Sequence, residues 1–134
     1  MFLDLLSDVE QRVYCTLAYA VMAADGEVTE KEEAFHDWAL RDLVIEQLPE
    51  PAFDGDVLVP EGAFRLSVSR RALLVELALL AVADGEVTSE ERLVLDAVAE
   101  QLEMAAGQMD RCLEYATRLS GVLGDGFVLL AEAG

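Results

Sequence analysis

The hexapeptide ADGEVT occurs twice in this chain, at residues 24–29 and again at residues 83–88. Each copy follows a stretch of apolar residues at helical spacing, and its glycine can adopt the left-handed conformation that ends a helix. In each copy the threonine stands three residues before a glutamate, a capping-box pattern that begins a new helix. The repeat therefore predicts two helix–loop–helix units within an all-α fold.

Residues 8–48 are predicted to form the first helical hairpin. Ser7 and Glu10 make a further capping box, and apolar residues at helical spacing extend a helix over about residues 8–24. The second helix follows the first ADGEVT copy and should stop before Pro49. Its predicted buried positions are Phe35, Trp38, Ala39 and Leu43.

Residues 49–69 differ from their surroundings because they contain all three prolines of the chain together with β-favouring side chains. Residues 57–59 and residues 64–66 flank the turn-forming sequence Pro-Glu-Gly. This pattern fits either a small β-hairpin or an irregular loop. We interpret the segment as an insertion between two helical halves.

Residues 70–134 are predicted to hold the second helical hairpin and the C-terminal helices. A helix over about residues 68–83 is apolar nearly all round, which indicates the central buried element. The second ADGEVT copy ends it and begins the next helix, and a further helix should cover about residues 106–119. The chain is expected to loosen after that helix at Gly121, Gly124 and Gly126. The length of 134 residues favours one domain, residues 1–134.

The charge balance restricts the partners that this chain can have. It contains 27 acidic and 9 basic residues, giving a formal net charge of −18 at pH 7, and Lys31 is the only lysine. Such a surface repels nucleic acid and anionic membranes, and it favours metal cations or a basic protein partner. The longest apolar run, residues 72–83, is interrupted by Glu76 and is too short to cross a bilayer, so no direct membrane insertion is expected.

The N-terminal sequence and the cysteines indicate the compartment. The first ten residues lack the basic and apolar regions of a secretory signal, which predicts a soluble, cytoplasmic protein. In that compartment Cys15 and Cys112 are expected to be buried, reduced thiols.

The acidic residues of the repeated loops have a purely structural interpretation. Asp-Gly turns the chain, the capping threonine and glutamate begin the next helix, and Val28 and Val87 are expected to pack beneath the turns. Carboxylates in the first turn of a helix are stabilised by its dipole by about 0.3–1 kcal/mol each. Asp25 and Asp84 fit this interpretation less well, because they stand at the negative end of the preceding helix, where either the N-terminus of the following helix or a cation could compensate their charge.

The spacing of the same carboxylates matches half of a calcium-binding loop. An EF-hand loop ends in D-G-x-hydrophobic-x-x-x-E, and both copies reproduce that half, although apolar residues hold the earlier ligand positions. Neither loop is therefore a true EF-hand, but two converging loops could share one ion. Oxygen ligands alone indicate calcium, magnesium or manganese. The predicted metal ligands are Asp25, Glu32, Asp84 and Glu91, with Glu27 and Glu86 as outer donors.

The loops and their flanking helices resemble a known family. The sequences VMAADGEVTEKE, ALLAVADGEVTSEERLVLDAVAEQLEM and QLEMAAGQMDRCLEYA are similar to the TerB-like domain, which is named after a tellurite-resistance protein. The likeness covers roughly residues 8–119 apart from the insertion. It implies two pseudo-symmetric helical halves and an acidic surface that binds divalent cations through the four predicted ligands. It also implies a role in tellurite or other chemical stress responses, with no established enzymatic reaction.

An enzymatic site is not predicted. His36 is the only histidine, so Glu33 and His36 cannot build a di-iron site, which needs two E-x-x-H pairs. The chain also lacks a nucleophile elbow, a P-loop and a dinucleotide-binding fingerprint. Two functions stay open: a small divalent-cation-binding domain, and an acidic protein–protein interaction module with no specific metal site.

Overall fold

The computed structural model describes residues 2–41, 43, 59–83 and 85–132, with side chains described up to residue 124. The chain begins with a short 3-10 turn, Leu3–Leu5. The helices within the described residues are α1 (Asp8–Ala23), α2 (Glu30–Leu40), α3 (Ser67–Ala81), α4 (Ser89–Gln101) and α5 (Gln108–Glu132). These residues contain no strand, so the all-α prediction is confirmed for the described part of the chain.

Complete capping boxes begin α1, α2 and α4. At α1 the Ser7 hydroxyl accepts a hydrogen bond from Glu10 N at 3.2 Å, and Glu10 Oε1 accepts one from Ser7 N at 2.8 Å. Thr29 and Thr88 cap α2 and α4 in the same way. Each box gives partners to two backbone N–H groups at a helix start, where the helix itself supplies none. The predicted starts of these helices are confirmed.

The central element of the fold is α3. It contacts α1, α2, α4, α5 and the 3-10 turn. All side chains from Leu77 to Ala81 are at most 1% exposed, as expected of a helix that is apolar nearly all round. Burial of each such leucine contributes about 1.5–3 kcal/mol, so the core is built around this helix, as the sequence predicts.

The two helical hairpins contact each other in matching pairs. Helix α1 packs on α3, α1 also packs on α4, and α2 packs on α3. If α1 and α3 exchange places, and α2 and α4 do the same, these three contacts between the hairpins become the same three contacts. A pseudo-twofold relation between the hairpins would give this pattern.

The C-terminal part of the chain differs from the prediction. The sequence predicts that the last helix ends near residue 119 and that glycines loosen the chain after it, but α5 continues to Glu132. Gly121 and Gly124 lie inside α5, where a glycine costs about 1 kcal/mol relative to alanine. The helix nevertheless continues through both glycines, which lie on its exposed part, and α5 as a whole packs on α3 and α4. The prediction of several C-terminal helices is therefore wrong for the described residues, in which one long helix takes their place.

The insertion lies partly outside the described residues, which omit residues 44–58. In the described remainder, residues 60–63 form a turn in which Ala63 N donates to Pro60 O at 3.1 Å. Phe64 follows and is buried in the core. Residues 64–66 do not form a strand, so the second strand of the alternative hairpin is absent.

Two further predictions can be compared with the fold. Cys15 and Cys112 are both buried and free, as expected. None of the helices, over the residues that the structure describes, is long and apolar enough to cross a membrane.

Candidate functional site

The first ADGEVT loop is a tight turn that Asp25 stabilises. Asp25 Oδ1 accepts a hydrogen bond from Glu27 N at 3.0 Å, and Gly26 N donates to Ala23 O at 3.1 Å. Gly26 has φ +81°, a left-handed conformation that other residues adopt only with strain. The Asp25 side chain is exposed, so the loop presents a carboxylate to solvent.

The second loop repeats this turn as far as it is described. Asp84, one of the predicted ligands, lies outside the described residues. Gly85 has φ +96°, and its N–H donates to Val82 O at 2.9 Å, as in the first loop. The two valines differ, because Val87 packs partly buried against the core whereas Val28 is 42% exposed. The expectation that Val28 packs beneath its turn is therefore wrong.

The capping glutamates of both loops are buried. Glu32 and Glu91 are each 2% exposed. Glu32 Oε1 accepts hydrogen bonds from Thr29 N at 3.2 Å and from the Thr29 hydroxyl at 3.0 Å, and Glu91 Oε1 accepts one from Thr88 N at 3.0 Å. In each glutamate, Oε1 therefore accepts the hydrogen bonds of the capping box. Buried carboxylates are rare unless both oxygens have partners.

The second oxygen of Glu91 is the unusual atom of this region. Oε2 of Glu91 is buried and has no hydrogen-bond partner among the described residues. Burial raises the pKa of the Glu91 carboxyl, the hydrogen bonds from Thr88 lower it, and the negative charges of Glu32 and Asp25 raise it further. Such a carboxylate is stabilised either by a proton or by a cation close to Oε2.

The charges of the first loop and its helix act on Glu91 of the second hairpin. Glu91 belongs to the second helical hairpin, whereas Glu32 and Asp25 belong to the first, and their charges act on the Glu91 carboxyl. Glu27 and Glu86 are exposed, and neither contributes to the pKa shift of Glu91. Glu91 therefore lies within electrostatic range of two other predicted ligands, Glu32 and Asp25, and the two outer donors lie at the surface.

The described carboxylates do not by themselves form a metal site. Within the described residues, which omit Asp84, no group of three or more His, Cys, Asp or Glu side chains is arranged to hold an ion. Calcium requires about 6–8 oxygen ligands and magnesium takes several of its ligands from water. An ion bound between the loops would need Asp84, backbone carbonyls and water in addition to Asp25, Glu32 and Glu91.

His36 does not extend the carboxylate cluster. Its ring is half-buried and lies near the ring of Tyr14, with the centroids 6.4 Å apart. Burial lowers the pKa of His36, and the charge of Asp37 opposes this shift. His36 is therefore predominantly neutral at pH 7 and supplies no positive charge to the acidic loops.

A largely apolar cavity of about 650 Å³ lies beside the loops, between α2 and α5. The rings of Phe35 and Trp38 form part of its wall, with their centroids 5.6 Å apart, and Ala83 of the second loop also lines it. Trp38 is the only tryptophan of the chain. Its fluorescence can therefore report changes near the junction of the loops.

Comparison with known proteins adds no relative, because no family model, curated protein or solved structure matches this chain. The resemblance to the TerB-like domain therefore stays a prediction from the loop motifs and their flanking helices. The function has to be argued from the junction of the two loops.

Proposed function

We propose that this chain is a small, non-enzymatic TerB-like domain that binds a divalent cation where its two ADGEVT loops meet, as part of a response to tellurite or another chemical stress. Glu91 carries the proposal, because its buried Oε2 has no hydrogen-bond partner among the described residues and lies near the charges of Glu32 and Asp25. An unsatisfied buried polar group costs about 1–3 kcal/mol. A cation beside Oε2 would remove this cost.

The donor set determines the class of ion. Carboxylate and carbonyl oxygens favour calcium, magnesium or manganese over zinc or copper. The capping boxes hold Oε1 of Glu32 and of Glu91 in place, so both carboxylates are already oriented before an ion binds. The proposed ligands are Asp25, Glu32, Asp84 and Glu91, with Glu27 and Glu86 contacting the ion through water.

The alternative is an acidic interaction module that binds a basic protein segment. Exposed carboxylates surround the loops, and a basic segment could contact them without using the buried carboxyl of Glu91. Such binding would weaken as salt screens the charges. The exposed carboxylates available for it are Glu27, Glu30, Glu33, Glu86 and Glu90.

Calorimetric titration of calcium, magnesium and manganese into chelator-treated protein tests the proposal. The double variant Asp25→Asn/Asp84→Asn should lose saturable binding, because each substitution removes a negative charge from the predicted site. Asparagine keeps an Oδ1 acceptor for Glu27 N, so the first turn should persist. Unchanged helical circular dichroism would show that the fold is retained.

A matched control is the double variant Glu30→Gln/Glu90→Gln. It removes the same number of charges from exposed positions in the first turns of α2 and α4. Binding should persist in this control. Weak, non-saturating, salt-sensitive heat that is equal in both double variants would overturn the cation site and favour the interaction module.

A further inference from the structure

A concentration of arginine side chains lies on α3 and α5. Only 9 of the 134 residues are basic, yet Arg71, Arg111 and Arg118 all line one surface depression of about 370 Å³. Val75 and Tyr115 line the same depression. We call this depression the arginine groove and define it by Arg71, Val75, Arg111, Tyr115 and Arg118.

Two of these arginines have no acidic partner among the residues that the structure describes. In the described part of the chain, neither Arg71 nor Arg111 forms a salt bridge, although acidic residues outnumber basic residues by 27 to 9. Arg92 by contrast contacts two aspartates, at 2.9 Å and 2.7 Å. Arg118 contacts Glu114 at 3.5 Å in an exposed pair, which contributes little to stability. Glu114 also lines the depression, so the described lining holds three arginines and one glutamate in a strongly acidic protein.

The positive charge extends to the buried side of the groove. Cys112 also lines the depression and is only 8% exposed. Burial raises the pKa of its thiol, while the charges of Arg111 and Arg71 lower it. The positive charges of both guanidinium groups therefore reach the buried Cys112 thiol at the bottom of the lining.

An apolar strip continues the groove along α3. A second depression of about 190 Å³ shares Arg71 and Val75 with the arginine groove. Leu5 and Val68 line it and are 49% and 52% exposed. Tyr115, 42% exposed, joins the two depressions, since its ring centroid lies 6.5 Å from that of Phe2, which also lines the strip. Exposed aromatic and arginine side chains beside apolar ones are the composition of protein interfaces.

The acidic loops are too far away to neutralise the groove. Arg71 lies near the start of α3, and the second ADGEVT loop follows the end of the same helix. At a rise of about 1.5 Å per residue the groove and the loop are separated by roughly 15–20 Å along the helix axis. This distance exceeds the Debye length of about 8 Å at physiological ionic strength.

We propose that the arginine groove and its apolar strip form a docking surface for a protein segment that carries carboxylates beside apolar side chains. Each guanidinium can bind a carboxylate through two parallel hydrogen bonds, and the strip can accept the apolar side chains. Both depressions are bordered by exposed side chains, whereas a small-molecule site encloses most of its ligand. An anionic membrane fits less well, because its extended negative surface would repel a chain of net charge −18.

Selection from a display library of short random peptides tests this surface. Peptides would be selected on the intact wild-type chain after depletion on the double variant Arg71→Gln/Arg111→Gln, and their dissociation constants would be measured by fluorescence anisotropy. The selected sequences should combine acidic and apolar residues. Their affinity should fall at least about tenfold in the double variant, because hydrogen bonds between charged groups are lost. It should fall several-fold in Val68→Ser.

The matched control is Arg41→Gln/Arg65→Gln, which removes the same charge from exposed positions outside the groove. Binding of the selected peptides should be unchanged in it. Selected peptides without acidic residues, or equal affinities for all variants, would overturn the proposal. Binding to phosphatidylglycerol vesicles or inorganic phosphate that exceeds binding to every selected peptide would also overturn it. The altered side chains are exposed, and circular dichroism would verify that each variant is folded.

Discussion

Replacement of Glu91 by glutamine should make the ion-free protein more stable at neutral pH. Glutamine is accepted at the third position of a helix in a capping box, so its Oε1 can still accept the hydrogen bond from Thr88 N. The substitution removes a buried negative charge that lies near the charges of Glu32 and Asp25. It also replaces the charged Oε2, which has no hydrogen-bond partner among the described residues, with a neutral amide that costs less to bury.

The size of the effect follows from the burial of this side chain. Glu91 is 2% exposed, so water relieves little of the cost of its unsatisfied oxygen. That cost is about 1–3 kcal/mol for a neutral polar group and larger for a charged one, so the neutral amide removes the excess that comes from the charge. In chelator at pH 7 we therefore expect Glu91→Gln to raise the free energy of unfolding by about 1 kcal/mol or more. The midpoint of thermal unfolding should rise by about 4 °C, measured by circular dichroism.

The stability difference should depend on pH in a defined direction. Because burial raises the pKa of Glu91 in the folded state, the folded protein keeps this proton at pH values where the unfolded chain has released it. The advantage of the variant is then largest above the raised pKa. It shrinks as the pH falls through that value and reaches its minimum below the ordinary value of 4.5. Comparing both proteins at each pH cancels the titration of the other carboxylates.

A bound ion should reverse the order of stability. At a concentration of 100 times the dissociation constant, an ion stabilises the protein that binds it by about 2.7 kcal/mol. Wild type should gain this amount, whereas Glu91→Gln lacks one ligand and should gain less. Glu90→Gln is an exposed neighbour that should change stability by less than about 0.5 kcal/mol. A Glu91→Gln protein less stable than wild type at every pH, with a constant difference, would refute the reasoning.

Three further predictions test the fold. Thr29→Ala and Thr88→Ala should each lower the free energy of unfolding by about 1 kcal/mol in urea titrations, and unchanged midpoints would contradict the capping boxes. Gly121→Ala and Gly124→Ala should each raise it by about 0.5–1 kcal/mol, because the added Cβ meets no atom within 4 Å and favours the helix. A loss of stability would argue against a continuous α5. Burial raises the pKa of the Cys15 thiol to about 11, so a disulfide reagent at pH 8 should react slowly with native protein and rapidly in urea. Equal rates would contradict its burial.

Local rules were sufficient to predict most of the helices. Capping depends on residues three positions apart, so Ser7, Thr29 and Thr88 could be identified as helix starts without knowledge of the fold. The length of α5 could not be predicted in this way. Its glycines disfavour a helix locally, yet the helix passes through them, and the contacts of α5 with α3 and α4 are a property of the tertiary structure that short spacings do not reveal.

The candidate site and the arginine groove depend on contacts between distant parts of the sequence. Glu91 could be predicted as a cap, but its nearness to Glu32 follows only from the way in which the two hairpins meet. The sequence shows a basic cluster at residues 65, 70 and 71, which the structure divides. Arg70 Nε donates to Phe64 O at 2.6 Å, whereas Arg71 joins arginines of α5. The nearness of Glu91 to Glu32, and of Arg71 to the arginines of α5, joins residues too far apart in the sequence for a short motif to reveal.

The repeated loop has a structural role and a proposed chemical role that share the same carboxylates. Each capping glutamate uses Oε1 to begin a helix, and its buried second oxygen adds negative charge where the loops meet. Alanine at Glu32 or Glu91 removes both contributions at once, whereas glutamine keeps the cap and removes only the charge. An ion response that is lost in the glutamine variants while their helices persist would therefore assign the second oxygens to the ion. A response that survives glutamine and disappears only with alanine would assign these glutamates to the fold.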